Sequence, residues 1–335
     1  MDALRKIADA VLYEGYILWP YRRSALKNRQ RFTFGGVYPR SHSEGREDDP
    51  WQMRTEVLLE RDRDARVDVR VRFLHVVERR VGRAAGDGLE WVDELTVSGT
   101  RYLSWSEATE RELVVEGVAL AALESPLMVP IEVAAGSVEE TLLEPSGERA
   151  GAVVRSWRAL AGSVHIAARS VGPSLSRLSV EIANTTSFAG HDREQALHQT
   201  FCSTHTVIQA AGGELVSQTD PPERLAAEAG RCVNTGAWPV LVGEPGERHT
   251  MLSSPIILED YPRIAPESPG DLFDGGEIDQ LLTLSILSLT DAERAEMRDS
   301  DPRARAILER TEALSQEDLM RLHGAVQELR VARPA

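Results

Sequence analysis

The chain has 335 residues, of which 42% are hydrophobic and 27% are charged. This composition suits two ordinary domains or one large one, and it excludes collagenous, low-complexity and disordered chains. Acidic residues number 53 against 38 basic ones, which gives a formal charge of -15. Because a general nucleic-acid binder needs a basic excess to neutralise phosphates, we expect protein or small-molecule partners and no nucleic acid.

Cysteine usage and hydropathy bear on the compartment. The two cysteines, Cys202 and Cys232, are too few for a disulfide framework, and a chain of this size does not need one. The apolar stretch near the start is interrupted by Asp9 and Glu14, so no secretory signal is expected. No later apolar run approaches the roughly 18 residues of a spanning helix. We therefore expect a cytoplasmic protein with no membrane partner.

The first 50 residues begin with a helical pattern. An apolar stripe predicts a helix of about four turns, which Gly15 and Pro20 end. After a basic stretch, the period-two pattern of Phe32 and Phe34 predicts a short strand. Residues 41–50 are polar and acidic, and they predict a solvated loop. The helical stripe consists of Leu4, Ile7, Ala8, Val11 and Leu12.

Strand patterns dominate from about residue 51 to residue 217. Residues 67–73 alternate apolar and charged side chains, and residues 164–166 and 178–182 repeat the alternation. Turn residues separate these runs, and no helical pattern intervenes. Such a succession favours an antiparallel sandwich or open barrel over alternating βαβ units.

Helix signals return after about residue 220. A short helix is predicted at residues 223–228, strands at 239–242 and 251–258, and a loop rich in proline, glycine and acids at 259–277. The last 60 or so residues are predicted to be helical. Four helix starts are marked by capping residues: Asp274 with Glu277, Thr290 with Glu293, Asp301 before Pro302, and Ser315 with Asp318.

The fold class predicted from these patterns is α+β: an antiparallel β-rich body, sandwich or open barrel, with an N-terminal helix and a helical C-terminal region. The patterns divide the chain into three parts. Residues 1–50 hold the N-terminal helix and a basic segment, residues 51–220 form a β-rich domain, and residues 221–335 form a mixed segment that ends in helices packed on the β-rich body.

Two groups of residues resemble metal ligands. On a helix, His198, Cys202 and His205 would share one face, with Cys232 near in sequence. The residues around them are β-branched, which favours a strand in which His205 points away from Cys202. We therefore predict buried thiols and an edge histidine. In the acidic loop, Asp271, Asp274 and Glu277 could hold a hard cation, but helix capping explains the last two. We expect no metal and no cofactor.

Catalytic signatures are missing from the sequence. It contains no GxxxxGK[ST], GxGxxG, GxSxG or HExxH motif. A triad assembled from distant positions cannot be read from a sequence, because triads are recognised by geometry. His75 and His323 lie beside apolar positions, which is typical of histidines at the edge of a core. We assign no catalytic residue and favour a protein that is not an enzyme.

A basic stretch at residues 21–31 stands out in this acidic chain. Guanidinium groups suit carboxylates and phosphates, so the stretch could bind an acidic partner surface or a small anion. Internal pairing with the many Asp and Glu residues explains it equally well. Its positive residues are Arg22, Arg23, Lys27, Arg29 and Arg31.

Two segments resemble an uncharacterised bacterial family associated with gene clusters for [NiFe]-hydrogenases. The first is VLYEGYILWPYRRSALKNRQRFTFGGVYP, at residues 11–39. The second is GAWPVLVGEPGERHTMLSSPIILEDYPRIAPESPGDLFDGGEIDQLL, at residues 236–282, continuing to about residue 314. Together they cover under half of the chain. The resemblance implies an accessory or maturation-linked role, and it brings no catalytic residues.

Both segments are dense in aromatic residues, proline, arginine and acids, and aromatic residues and arginine are common anchors of protein contacts. We therefore predict that the segments pack together into one recognition surface, its basic residues facing Glu259, Asp260 or Glu267. The predicted binding residues are Tyr21, Arg22, Arg23, Lys27, Asn28, Arg29, Glu259, Asp260 and Tyr261.

The expected function is that of a non-catalytic accessory protein. Its partner would be a protein, such as a hydrogenase subunit or a maturation factor. The alternative is an enzyme or a small-ligand-binding protein with a pocket where the two segments meet. A deep pocket with a strongly shifted ionisable group would favour the enzyme, and a flat, exposed aromatic patch would favour the binding protein.

Overall fold

A computed structural model describes residues 2–22, 25, 28, 31–32, 34–263 and 279–315. The chain divides into two compact units. The first consists of residues 1–13 and 32–263, and the second of residues 14–31 and 264–335. The predicted divisions after residues 50 and 220 mark changes of sequence pattern, whereas the units follow packing. Residues 221–263 belong to the first unit because they supply two strands of its sheet.

The first unit contains four helices and all the strands of the described chain. Its helices are α1 Asp2–Tyr13, α2 Arg40–Ser43, α3 Arg193–Leu197 and α4 Glu223–Ala229, with a 3₁₀ helix at Leu120–Glu124. Its strands are β1 Gln52–Ala85, β2 Gly88–Val92, β3 Glu94–Val97, β4 Thr100–Leu103, β5 Trp105–Ala119, β6 Leu127–Val133, β7 Gly136–Leu143, β8 Arg149–Trp157, β9 Leu160–Gly172, β10 Leu175–Asn184, β11 Cys202–Leu215, β12 Trp238–Leu241 and β13 Thr250–Ser254.

An 11-stranded antiparallel sheet is built around β1, and its main path runs β12-β13-β11-β1-β10-β9-β6. Five strands pair with β1 at successive positions: β10, β11, β5, β8 and β2. The register to β11 shifts between Arg61 and Arg66, so the strand is bulged where it passes from its first partner to later ones. The predicted α+β class and antiparallel body are confirmed. The sheet is open, because β12 and β6 end its path.

The main apolar core is formed by residues from several strands of this sheet. Residues of the predicted alternating runs form it: Val67, Val69, Val71 and Phe73 on β1, Val164 and Ile166 on β9, and Leu178, Val180 and Ile182 on β10. Phe73 stacks on Phe201 with ring centroids 4.6 Å apart. Alternation therefore identified the buried face correctly in all three runs.

Helix α1 covers the opposite face of part of the sheet. Its Val11 packs with Val207, Val240, Val242 and Leu252 in a second cluster. The helix is also fixed by charge, because Arg72 on β1 donates to Asp9 (2.6 Å) and to Glu110 (3.2 Å). As predicted, the helix ends before Gly15, which has φ +71°.

The second unit combines the chain after α1 with the C-terminal helices α5 Asp279–Leu287, α6 Asp291–Ser300 and α7 Pro302–Glu312. Two predicted helix starts are confirmed. Thr290 and Glu293 form a reciprocal capping box, and Asp301 caps α7 ahead of Pro302. Tyr16 donates to Asp301 at 2.7 Å, which ties the N-terminal stretch to this helix start.

Some predictions about single segments were wrong, and others concern residues that the structure does not describe. Phe34 lies in a bend and not in a strand, and Val37 forms only an isolated bridge to Phe201. Residues 44–48 are exposed and lie outside helices and strands, as predicted for a solvated loop, but residues 40–43 form α2, and His42, Ser43 and Asp49 are buried. The Asp274–Glu277 start, the Asp271 cation loop, Asp318 of the last helix start and His323 lie outside the described residues.

None of the helices in the described part of the chain is long and apolar enough to span a membrane.

Candidate functional site

The parts of the two segments that belong to the first unit lie against each other. Val11 of the first segment packs on side chains of the second, which are Val240, Val242, Leu252, Ile256 and Leu258. At the other end of the first segment, Gly35 approaches Pro255 so closely that a Cβ on Gly35 would lie 2.5 Å from the proline Cγ. We call this contact of residues 11–13 and 34–39 with residues 236–263 the seam.

Exposed apolar side chains flank the seam where β13 ends. Ile257 is 73% exposed, Trp238 44% and Phe34 40%. Trp238 pairs with Ser254 in the sheet, and the carbonyl of Phe34 accepts from the N–H of Ser203. We call Phe34, Trp238 and Ile257 the seam surface. Such a group of large apolar side chains in contact with water marks a candidate contact site.

The basic stretch is used, at least in part, for internal pairing in the second unit. Arg22 pairs with Glu293 of α6 at 2.9 Å. Tyr21 is fully buried, and the Asn28 side chain binds both the N–H and the carbonyl of Leu18. Internal pairing therefore explains Arg22, and burial explains Tyr21 and Asn28. Arg23, Lys27 and Arg29 lie outside the described residues.

The predicted binding residues at 259–261 divide into a structural pair, Asp260 and Tyr261, and an exposed residue, Glu259. Asp260 accepts from the N–H of Leu241 (2.7 Å) and from the hydroxyls of Ser217 (2.5 Å) and Thr219 (2.9 Å). The N–H of Tyr261 donates to the carbonyl of Leu241 at 2.7 Å. Glu259 is exposed and remains a candidate contact residue, whereas Glu267 lies outside the described residues.

These contacts explain how the edge of the sheet is protected. Strand β12 ends the sheet path and would offer unpaired backbone groups to other chains. Asp260 and Tyr261 bind both backbone groups of Leu241, and Pro239 has no N–H to offer. The Asp260–Tyr261 pair therefore closes an edge strand, a role that sequence patterns could not reveal because the bond partners are distant in sequence.

The thiols and histidines occupy separate environments. His198 caps the end of α3, and β11 begins at Cys202, so the predicted strand is confirmed. Ser203 has φ +50°, and the bulge there puts Cys202 and His205 opposite Leu74 and Arg72 of β1. The bulge interrupts the alternation, so both side chains are buried on the same side of β11, and the prediction that His205 points away from Cys202 was wrong. No three His, Cys, Asp or Glu side chains in the described ranges are arranged to hold a metal ion.

Burial controls the ionisation of these groups. It raises the pKa of the Cys202 thiol to about 12 and that of Cys232 to about 11, so both are protonated at neutral pH. Burial also lowers the pKa of His205 and of His75 to about 4, with Arg111 lowering that of His75 further. These histidines are neutral in the folded protein and serve as parts of the core.

The sequence reasoning missed a buried polar network below α2. The His42 ring lies 3.0 Å from Asp49, and Arg193 donates to the same carboxylate at 3.2 Å. Burial opposes charge on Asp49, but the hydrogen bonds from His42 and Arg193 outweigh it, and the net pKa is lowered. Tyr38 stacks on His42 at 5.2 Å. The network spans over 140 residues of sequence, so no local motif signals it.

An open cleft of about 740 Å³ lies on the outer face of β1, β10 and β9. Its charged lining residues are Arg54, Glu56, Glu124, Arg169, Arg177 and Arg231, and its small or apolar ones include Ala167, Ser179 and Val233. None of these residues belongs to the two segments, whereas the predicted pocket was placed where the segments meet.

A comparison with protein-family models and with curated proteins finds no match to the chain. The link to hydrogenase gene clusters therefore stays a prediction from residues 11–39 and 236–314.

Proposed function

We propose that this protein is a non-catalytic, cytoplasmic accessory protein that binds a partner protein through the seam surface. The proposed partner is a [NiFe]-hydrogenase subunit or a maturation factor. The observation that carries the proposal is the seam surface itself: three large apolar side chains stay exposed next to the packed contact between the two segments.

Energetics support this use of Phe34, Trp238 and Ile257. Fully burying one side chain such as isoleucine or phenylalanine contributes about 1.5–3 kcal/mol, and the exposed fractions leave much of that for a partner. The scaffold under the surface is fixed, because the seam below it is apolar and closely packed. A rigid surface loses little conformational entropy on binding, which favours affinity.

The experiment is a direct binding titration with purified proteins. The partners are a hydrogenase large subunit, a small subunit and individual maturation factors, each measured separately against the full chain. We expect one of them to bind saturably, and we expect Trp238→Ser with Ile257→Ser to weaken that binding at least tenfold, which equals about 1.4 kcal/mol.

The matched control is Met128→Ser. Met128 is 61% exposed on β6, at the other end of the sheet path, and its loss should leave binding within twofold. If none of the hydrogenase proteins binds, the hydrogenase link fails. If binding occurs but the Trp238 and Ile257 changes leave it intact, the seam surface is the wrong location.

The second candidate is a small-ligand-binding protein or enzyme, and the arginine-lined cleft favours it. Under this alternative the ligand is held by charged side chains on strands, and the seam surface has no part in function. The two candidates separate cleanly, since variants of the cleft and of the seam surface share no residues.

A further inference from the structure

The middle of the cleft floor carries two arginines at directly paired positions. Arg177 of β10 lies opposite Arg169 of β9 in the sheet register. Side chains at such positions have Cβ atoms about 5 Å apart, and like charges there destabilise the pair. The next row of the floor has only Ser179 and Ala167, which face each other in the same register. Two guanidiniums thus border a shallow space lined by small side chains.

Protein carboxylates satisfy this group of arginines unevenly. Arg177 pairs with Glu228 at 3.0 Å, and Arg231 binds the same carboxylate through its other oxygen. Arg54 pairs with Glu56 at 2.5 Å. The guanidinium of Arg169, which is exposed, has no hydrogen-bond or ion-pair partner in the described part of the chain.

Two further donors indicate incomplete pairing. The Nε–H groups of Arg54 and Arg177 are buried and have no acceptor among the described residues. A buried donor without an acceptor destabilises the folded protein. A group with several acceptor oxygens in the cleft would offset the repulsion between Arg169 and Arg177.

Nearby acids set the limit on this positive charge. Glu124 lies at the rim and has no hydrogen bond or ion pair to a described residue, and Glu181 reaches Arg54 at only 4.0 Å. Of the acids near the cleft, Glu124 lines it without a described partner, and Glu181 lies opposite Arg54 in the sheet register.

We propose that this cleft binds a small phosphate-bearing molecule, with Arg169 and Arg177 holding the phosphate. A phosphate offers three terminal oxygens to converging guanidinium forks, whereas a carboxylate offers two. The apolar surfaces of Ala167 and Val233 suit the organic part of the molecule, and a volume of about 740 Å³ is in the usual range for small-ligand sites. The proposal is independent of partner binding at the seam surface.

The test uses calorimetric titration of the full chain with inorganic phosphate, pyrophosphate and succinate. We expect saturable binding of phosphate or pyrophosphate at one site, and weaker binding of succinate. Arg169→Gln should weaken the phosphate binding at least fivefold. Because Arg169 is exposed and unpaired, this variant should keep the thermal stability of the parent.

Two further variants sharpen the result. Arg63 is an exposed arginine on β1 that also has no partner in the described ranges, so Arg63→Gln should leave binding within twofold. Glu124→Gln removes a negative charge from the rim and should tighten binding several-fold. The proposal is overturned by no saturable binding of either phosphate, by a smaller loss in Arg169→Gln, by an equal loss in Arg63→Gln, or by tighter binding of succinate.

Discussion

Replacing Asp260 separates a structural role for this residue from a role in partner binding. Its carboxylate binds the N–H of Leu241 on the edge strand β12 and the hydroxyls of Ser217 and Thr219. The change Asp260→Ala removes all three acceptor contacts at once. Asp260→Asn keeps an acceptor oxygen for the backbone N–H.

The magnitude follows from what each donor loses. Leu241 is only 2% exposed, so its N–H would be left without a partner, at about 1–3 kcal/mol. The Thr219 contact is exposed, and water replaces most of it. We expect Asp260→Ala to lower the free energy of unfolding by about 2–3 kcal/mol, and Asp260→Asn by about 1 kcal/mol.

Urea denaturation measures both values, since a shift of the midpoint at constant slope reports stability. The matched control is Glu259→Ala, because Glu259 is the exposed neighbour and its loss should change stability by less than about 0.5 kcal/mol. If Asp260→Ala unfolds like the parent protein and instead loses partner binding, the edge-closing role is refuted and Asp260 is a contact residue.

Two other perturbations test the core and the seam. The pKa of His205 is about 4 in the folded protein and ordinarily 6.5, so the unfolded chain binds the proton first as pH falls. The free energy of unfolding should therefore be about 2 kcal/mol lower at pH 5 than above pH 6.5. Urea midpoints at pH 7 and pH 5 should show a smaller loss in His205→Gln, and an equal loss in both proteins would contradict this reasoning. Gly35 and Gly86 have φ values of +54° and +58°, but only at Gly35 would an added Cβ meet Pro255. Thermal unfolding should therefore show Gly35→Ala less stable than Gly86→Ala by about 2 kcal/mol. Equal losses in the two variants would mean that the seam is loosely packed.

The predicted recognition surface was partly accessible to sequence reasoning. The parts of the two segments in the first unit do lie together, and their use as a contact surface is our proposal. The individual residues were harder to assign. Arg22 and Asp260 look alike as surface charges in a sequence, yet Arg22 pairs with Glu293 and Asp260 closes an edge strand. Exposed Trp238 and Ile257 carry no local signal that distinguishes them from core residues.

Local patterns determined the elements of this protein. Alternation marked the core face of β1, β9 and β10, and helical spacing marked α1. The pairs Thr290 with Glu293 and Asp301 with Pro302 marked two helix starts. These signals are legible because each depends on side chains at most four residues apart, within the reach of one turn or one strand repeat.

Tertiary structure alone decided which distant residues meet. The pairing of β1 with five partners and the facing arginines of β9 and β10 depend on strand registers set by the whole core. The His42–Asp49–Arg193 network joins residues 42 and 49 to the distant helix α3. A register change of one residue would turn Arg169 and Arg177 to the other face. The arginine cleft therefore exists because the packed core fixes the register, and no stretch of sequence encodes it separately.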